Sequence, residues 1–333
     1  MTMFLFNAWY CAAWSTELEA GQILSRRYLD LPVVLFRNAD GSACALLDRC
    51  PHRFAPLSRG TLAEGVLTCG YHGLAFDGAG QCVANPFNES LPPNSGVRRF
   101  PIVERDRVIW IWPGDPALAD ETAIPDYSEI RNVGEKQGYL YLRANYLLAV
   151  DNLMDLSHIE FVHLRSFGGA GAFFSGKHET RRTGPSEIWS LWDMRNVDAP
   201  APARAAFGDM KVDHWQNMRW NAPANLYFEV GVCPAGVEPD PALQPGPQAH
   251  LLTPETQHTT HYFYSKDVGR AGSCSDGLRR IPFGEEDGSM MEACQANMGD
   301  DFWAERPWVL KTDSAAVLVR RTLEKLVREE MAS

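Results

Sequence analysis

Two groups of residues in this 333-residue sequence have the types and spacing of metal ligands. In the first, Cys50-Pro51-His52 is followed by Cys69-Gly70-Tyr71-His72. Each pair falls in a turn beside a strand-like run, where a short side chain reaches an ion without bending a helix. Two thiolates and two imidazoles suit one tetrahedral zinc, or a [2Fe–2S] cluster with the thiolates on one iron and the imidazoles on the other. Structural zinc sites usually draw two cysteines from one knuckle and histidines from elsewhere. Here each loop supplies one of each, which favours the cluster.

The second group is the stretch DNLMDLSHIEFVH, Asp151 to His163. Asp151, Asp155 and His158 are spaced by four and three and share a face of a helix. His163 lies five beyond His158, about 140° round an ideal helix, so the helix must end or distort between the two histidines. Two imidazoles on one ion need convergence rather than ideal periodicity. Two histidines and one carboxylate with open positions make the facial triad of non-haem iron sites. In isolation the pattern reads as an amphipathic helix with hydrogen-bonded histidines. Roughly 85 residues after the first group, it reads as an iron site.

PVVLF and ACALL flank Asn38-Ala39-Asp40-Gly41, and LAF and QCVA flank Asp77-Gly78-Ala79-Gly80. Asp-Gly between short β-rich runs predicts hairpins. RVIWIW, 107–112, is apolar on both faces and predicts a strand covered on both sides. PGDPALADETAIPDYSEI, 113–130, is rich in Pro and Asp and predicts a domain boundary. Residues 1–118 are therefore expected as an all-β domain and 119–333 as an α+β catalytic domain with an antiparallel sheet and helices. The latter should hold a helical segment near 147–163, strands such as EIWSLWDM and NLYFEVGVC, a proline-rich surface loop at 234–248, and a closing helix. That helix repeats Ala316, Val319, Leu323, Leu326 and Val327 at helical spacing behind Thr312 or Asp313 as cap.

Composition narrows the partners. The net charge of −11 repels a phosphate backbone, so nucleic acid is excluded as a partner. No Lys or Arg precedes Arg26, which argues against a signal peptide, and no apolar run reaches the roughly 18 residues of a membrane span. A cytoplasmic protein with no membrane partner is expected. Six of the eight cysteines, Cys11, Cys44, Cys82, Cys233, Cys274 and Cys294, lack a partner at ligand spacing and are read as packing residues. No G-x-G-x-x-G follows a strand, so no flavin- or nicotinamide-binding fingerprint is visible.

The first group, with Arg53 after His52, Gly73 after His72 and the hairpin F-D-G-x-G-x-C, resembles the Rieske domain of the Rieske non-haem iron oxygenases. The resemblance continues through N-L-x-D-x-x-H-x-x-x-x-H to W-I-W-P-G-D-P-A and the closing D-S-A-A-x-x-x-x-R-R-x-L-E-K-L, so it spans nearly the whole chain. It is nearest to the group that includes vanillate O-demethylase, dicamba demethylase and toluenesulfonate methyl-monooxygenase. One departure is Gly70, where many relatives have Pro, which is expected to loosen that loop without removing a ligand.

The resemblance implies a Rieske [2Fe–2S] cluster on Cys50, His52, Cys69 and His72, and a mononuclear Fe(II) on His158, His163 and a late carboxylate. Of Glu285, Glu286 and Asp287, the family pattern selects Asp287. It also makes Asp155 a catalytic bridge. Its carboxylate would accept the second N–H of His158 and meet His72 of a neighbouring subunit in a head-to-tail homotrimer. The implied catalytic domain is of the helix-grip type. Substrate contacts are expected from Asn152, from His250 on a strand that lines the cavity in relatives, and from Tyr227. The other aromatics Trp189, Trp192, Trp215, Trp220 and Phe228 are expected mostly in the core, with one or two stacking on a ligand. His178, His214, His258 and His261 are expected at the surface or in packing. The implied activity is that of a terminal oxygenase. It would take O2, and electrons from a ferredoxin or NAD(P)H-dependent reductase, to remove a methoxy methyl or hydroxylate a methyl on a small aromatic compound. The rivals are N-demethylation, ring hydroxylation or dioxygenation, and a Rieske electron carrier without oxygenase activity. The last would need only the first hundred or so residues.

Overall fold

In the computed structural model, residues 4–87, 90, 95–130, 135–164, 166–267, 283–299 and 307–332 are described. The chain divides into two compact units after Ile124, inside the Pro- and Asp-rich stretch, with Leu5 joining the second unit.

Alternation of short apolar runs with Asp-Gly turns builds the first unit from strands in three small antiparallel sheets, with only short 3-10 turns besides. One pairs Val108–Ile111 with Tyr10–Trp14 on one side and Ile102–Arg105 on the other. Val108, Ile109, Trp110 and Ile111 are all buried, as a strand apolar on both faces requires. A second sheet carries Leu24–Tyr28, Leu31–Arg37, Ala43–Leu47 and Arg99–Phe100. The third carries Thr61–Ala63, Val66–Thr68, Ala75–Phe76 and Cys82–Ala84. Asp side chains close the turns: Asp40 Oδ1 accepts from the Ser42 amide at 2.9 Å, and Asp77 Oδ1 from the Ala79 and Gln81 amides at 3.0 and 2.9 Å.

The second unit is α+β. Its seven-stranded antiparallel sheet runs in the order Glu135–Leu142, Thr259–Asp267, Gln248–Thr256, Asn225–Pro234, Lys211–Asn221, Glu187–Asp198, Lys177–Gly184. Helix Tyr146–Met154 starts at Asn145, whose side chain accepts from the Leu147 amide at 2.9 Å. It buries Leu147, Val150, Leu153 and Met154, and packs on the sheet and on the closing helix Ser314–Ala332. That helix buries Ala316, Val319, Leu323 and Val327, while Leu326 is half-buried. On the sheet, Trp215 pairs with Gly231, and a Cβ there would stand 1.9 Å from Trp215 Cζ2. Glycine lets the indole lie across the neighbouring strand.

The seven described cysteines are free thiols, and Cys274 lies outside the described residues. Among the described residues no helix is long and apolar enough to cross a membrane.

Candidate metal centres and substrate cavity

In the first unit the two ligand loops are the same loop made twice. Cys50 N donates to Ala55 O at 2.8 Å and Phe54 N to Cys50 O at 2.9 Å; Cys69 N donates to Leu74 O at 2.8 Å and Gly73 N to Cys69 O at 3.0 Å. In each loop the fourth residue after the cysteine has positive φ, +61° at Phe54 and +74° at Gly73. The first loop is anchored by buried Asp48, which accepts from the Ser58 amide at 2.7 Å and the Ser58 hydroxyl at 2.6 Å. In the second loop Gly70 lies against the neighbouring turn. A Cβ at Gly70 would stand 2.8 Å from Arg59 O, so the absent side chain lets the loop pack closely on the neighbouring turn.

These loops bring all four predicted ligands together. Cys50 and Cys69 are buried, His52 is exposed and His72 half-buried, with the imidazole centroids 4.5 Å apart at 68°. Burial and the adjacent Cys69 push the Cys50 thiol up, while main-chain N–H groups of His52 and Arg53 favour its thiolate. Two buried thiols side by side, with amides already aimed at the Cys50 sulfur, fit a metal cluster.

In the second unit, helix Tyr146–Met154 stops at Asp155, whose φ of −116° and ψ of 89° are not helical. A 3-10 turn, Leu156–His158, and one α-turn, Ile159–Val162, follow, and His163 leaves the helix with φ −104°. The end before His163 meets the geometric requirement read from the sequence. The helix also breaks at Asp155, which interrupts the periodicity that Asp151, Asp155 and His158 have in the sequence.

Asp287 sits in a single π-turn, Gly284–Gly288, and is fully buried. One donor atom from each of His158, His163 and Asp287 lies within 4.8 Å of the other two. Asp287 Oδ1 is 3.2 Å from His158 Nε2, and Oδ2 is 3.0 Å from His163 Nε2. The distal nitrogens of both rings are committed elsewhere. His158 Nδ1 donates to Asp155 O at 2.6 Å and His163 Nδ1 to Glu286 Oε2 at 2.6 Å. Both Nε2 lone pairs therefore face a carboxylate, and buried Oδ2 finds no hydrogen-bond donor among the described residues. Such a convergence of acceptors is repulsive without a cation, and it fits a divalent metal.

The charges agree with this. Burial would raise the Asp287 carboxyl, yet His158 and His163 hold it at about 2. Burial would lower His163, but Asp287 and Glu286 outweigh it and draw a proton to the ring. A metal ion takes that proton's place.

Several partners were not foreseen. Glu286, adjacent to Asp287, orients His163 and accepts from the Ser166 hydroxyl at 2.6 Å. Arg320 of the closing helix pairs with Asp151, with Arg320 Nε 2.8 Å from Oδ1. Asn152 Nδ2 donates to Asp287 Oδ1 at 3.1 Å, so its amide is fixed by the ligand rather than by the helix. The expected contact from the Asp155 carboxylate to His158 is corrected: the Asp155 main-chain oxygen takes that role. The carboxylate instead caps the 3-10 turn, accepting from Ser157 N at 3.1 Å and Ser157 Oγ at 2.7 Å, and from Thr312 Oγ1 at 3.4 Å. Asp is a favoured N-cap, and capping turns its carboxylate away from the ring.

Beside the three ligands lies a cavity between the sheet and the Asn152–His163 segment. Its walls are mostly apolar, with Leu153, Leu156, Ile159, Met218, Phe228 and Val230 prominent. Asn152 and His250 line it as expected, and His250 Nδ1 is 2.5 Å from Tyr262 OH. Tyr227 does not line it. It points to the opposite face of its strand, against Tyr127 and Arg219, with its hydroxyl 3.0 Å from Glu129 Oε2. Its neighbour Phe228 is the lining aromatic, because successive strand residues face opposite ways. His214, expected in packing or at the surface, is buried and lines the cavity with Gln216.

Residues 8–101 match the Rieske [2Fe-2S] domain and residues 142–329 the vanillate O-demethylase oxygenase C-terminal domain. The chain belongs to the vanillate O-demethylase-type Rieske oxygenases. It is 42% identical to the oxygenase component of dicamba O-demethylase from Stenotrophomonas maltophilia, over 99% of both chains. Its fold matches dicamba monooxygenase bound to 3,6 dichlorosalicylic acid with a TM-score of 0.88 at 40% identity, over 99% of each chain. A structure of dicamba monooxygenase with non-heme iron and dicamba matches with a TM-score of 0.81 at 39% identity, also over 99% of each chain. As a member of this family the chain is the oxygenase component of a multi-protein system, with a Rieske [2Fe–2S] cluster and a non-haem iron as cofactors.

Proposed function

We propose that this protein demethylates a small aromatic ether, with His158, His163 and Asp287 holding the mononuclear iron and Cys50, His52, Cys69 and His72 the cluster. The observation that carries the reading is the convergence of two imidazole lone pairs and a buried carboxylate on the edge of an apolar cavity. When bound, the iron supplies dioxygen activation and the cluster supplies single electrons.

The chain's own residues do the rest. Leu153, Ile159, Met218 and Phe228 exclude water and hold an aromatic ring against the ligand edge. Glu286 and the Asp155 carbonyl keep the Nδ1 protons in place and leave each Nε2 free to bind. One methoxy group, one O2, two electrons and two protons give a hemiacetal and water, and the hemiacetal collapses to a phenol and formaldehyde. Hydroxylation of an aryl methyl needs the same inputs and is the second reading. Ferredoxin or an NAD(P)H-dependent reductase is the electron source, and the compartment is the cytoplasm.

We assign the working assembly as a homotrimer in which one copy's His72 approaches the Asp155 segment of the next. Both regions carry exposed apolar side chains: Phe54 and Tyr71 on the ligand loops, and Phe161, Leu164 and Phe174 around the iron site. The test is a screen of methoxy- and methyl-substituted aromatics with a reductase, reading formaldehyde release and oxygen uptake. Coupled formaldehyde release from a methoxy compound supports the reading; oxygen uptake with benzylic alcohols alone would replace it by methyl hydroxylation.

A further inference from the structure

The sheet strand Lys211–Asn221 turns alternate residues inward, and two of them, His214 and Gln216, put polar groups among the mostly apolar residues that line the cavity. Both are buried, at 3% and 6% exposure. Neither touches the metal ligands, and no step of the demethylation uses them. A buried polar pair costs stability unless its hydrogen bonds are made, so each atom can be accounted for in turn.

His214 Nδ1 lies 2.8 Å from Gly231 O. A carbonyl only accepts, so Nδ1 carries the proton. Burial lowers the ring to about 4, which leaves it neutral and makes Nε2 an acceptor. Gln216 Nε2, 3.0 Å away, must then donate to it. The amide has one orientation, because the flipped form would set its oxygen against the ring lone pair. Gln216 Oε1 is thereby fixed as an acceptor, buried, with no donor among the described residues. Among the described residues the lining contains no Arg or Lys. The wall offers an oriented acceptor and no cation.

We propose that Gln216 Oε1, oriented by His214, accepts a hydrogen bond from a donor on the substrate ring, so that the preferred ethers carry a free hydroxyl. This rests on reading the cavity as the substrate site of the demethylase. A phenol satisfies Oε1 on binding. A ring that offers only a methyl or another ether there leaves the acceptor unpaired, and a site built to bond a hydroxyl rejects the analogue that lacks it. His214 is a positioning residue: it touches the amide and sets which way the amide points.

The test uses the iron-loaded holoenzyme and three isomer pairs, 2-, 3- and 4-methoxyphenol against 2-, 3- and 4-methylanisole, in which a methyl replaces the hydroxyl at nearly equal size. Equilibrium dialysis gives the Kd of each. At least one phenol should bind about tenfold or more tighter than its methyl partner. Q216M should bring that ratio to about one, and H214F should lower it by letting the amide rotate. Equal Kd values within all three pairs for the wild-type protein overturn the proposal, as does a Q216M protein that keeps the preference. The wild-type pairs decide even where a variant does not fold. Formaldehyde is measured separately. Phenol-selective binding without formaldehyde from any probe would sink the demethylase reading and leave the acceptor standing. Formaldehyde from phenols and methylanisoles that bind equally would do the reverse.

Discussion

Glu286 Oε2 lies 2.6 Å from His163 Nδ1, one residue before the carboxylate that faces the same ring's Nε2. Adjacent acids thus serve opposite edges of one imidazole. The π-turn Gly284–Gly288 lets them, since its wider turn brings both side chains to the same side.

Glu286 should therefore set the affinity of the iron site without binding the ion. Glu286→Ala is expected to weaken Fe(II) binding by about 10- to 100-fold, and Glu286→Gln, which keeps an acceptor, by less. Metal titration of the apoprotein checks this, and an unchanged affinity in Glu286→Ala would remove Glu286 from the site.

Asp155 should act on electron delivery. Asp155→Asn keeps the main-chain oxygen that orients His158, so both metals should remain bound while single-turnover oxidation of the cluster slows by orders of magnitude. Rapid-mixing absorbance follows this step, and wild-type rates in the variant would exclude the carboxylate from the path.

The buried neutral His214 predicts a pH dependence. Its folded value is depressed to about 4 from an ordinary 6.5. As pH falls below 6.5 the unfolded chain takes up a proton that the folded chain refuses, so stability is lost on acidification. Between pH 7 and 5 the loss amounts to about 2 kcal/mol. Urea midpoints of wild type and His214→Phe at the two pH values isolate it, and parallel losses in both proteins would contradict it.

Arg320 and Asp151 tie the closing helix to the ligand-bearing helix. Burial lowers Arg320 to about 10, so the position itself disfavours its charge. Arg320→Met should destabilise the second unit by about 2 kcal/mol, and Asp151→Asn added to it should recover most of that loss. Denaturation of the single and double variants measures the coupling, and additive losses would show none.

Much of this was legible because residue type and spacing carry it. Cysteine and histidine paired in each of two turns have little other use, and alternation marked the strands of both units. What escaped depends on local backbone. Asp155 followed by Ser157 is an N-cap pattern, yet the surrounding helical spacing hides the break. Tyr227 and Phe228 sit in NLYFEVGVC, which is apolar on both faces, so no period-2 signal says which one faces the cavity. His214 and Gln216 fall in the polar-looking run KVDHWQN, where inward polar residues cannot be told from a solvated face. Glu286 stands among the candidate ligands in the sequence, but its part in orienting His163 appears only with the π-turn.

Iron and acid-labile sulfide, counted per chain in the wild type and in His158→Ala, probe the two-centre arrangement most directly. The wild type should hold about one iron more than its sulfide count; His158→Ala should lose that excess and keep the visible spectrum of the cluster. A variant that loses the cluster spectrum, or keeps the extra iron, would contradict the assignment of His158 to a separate mononuclear site.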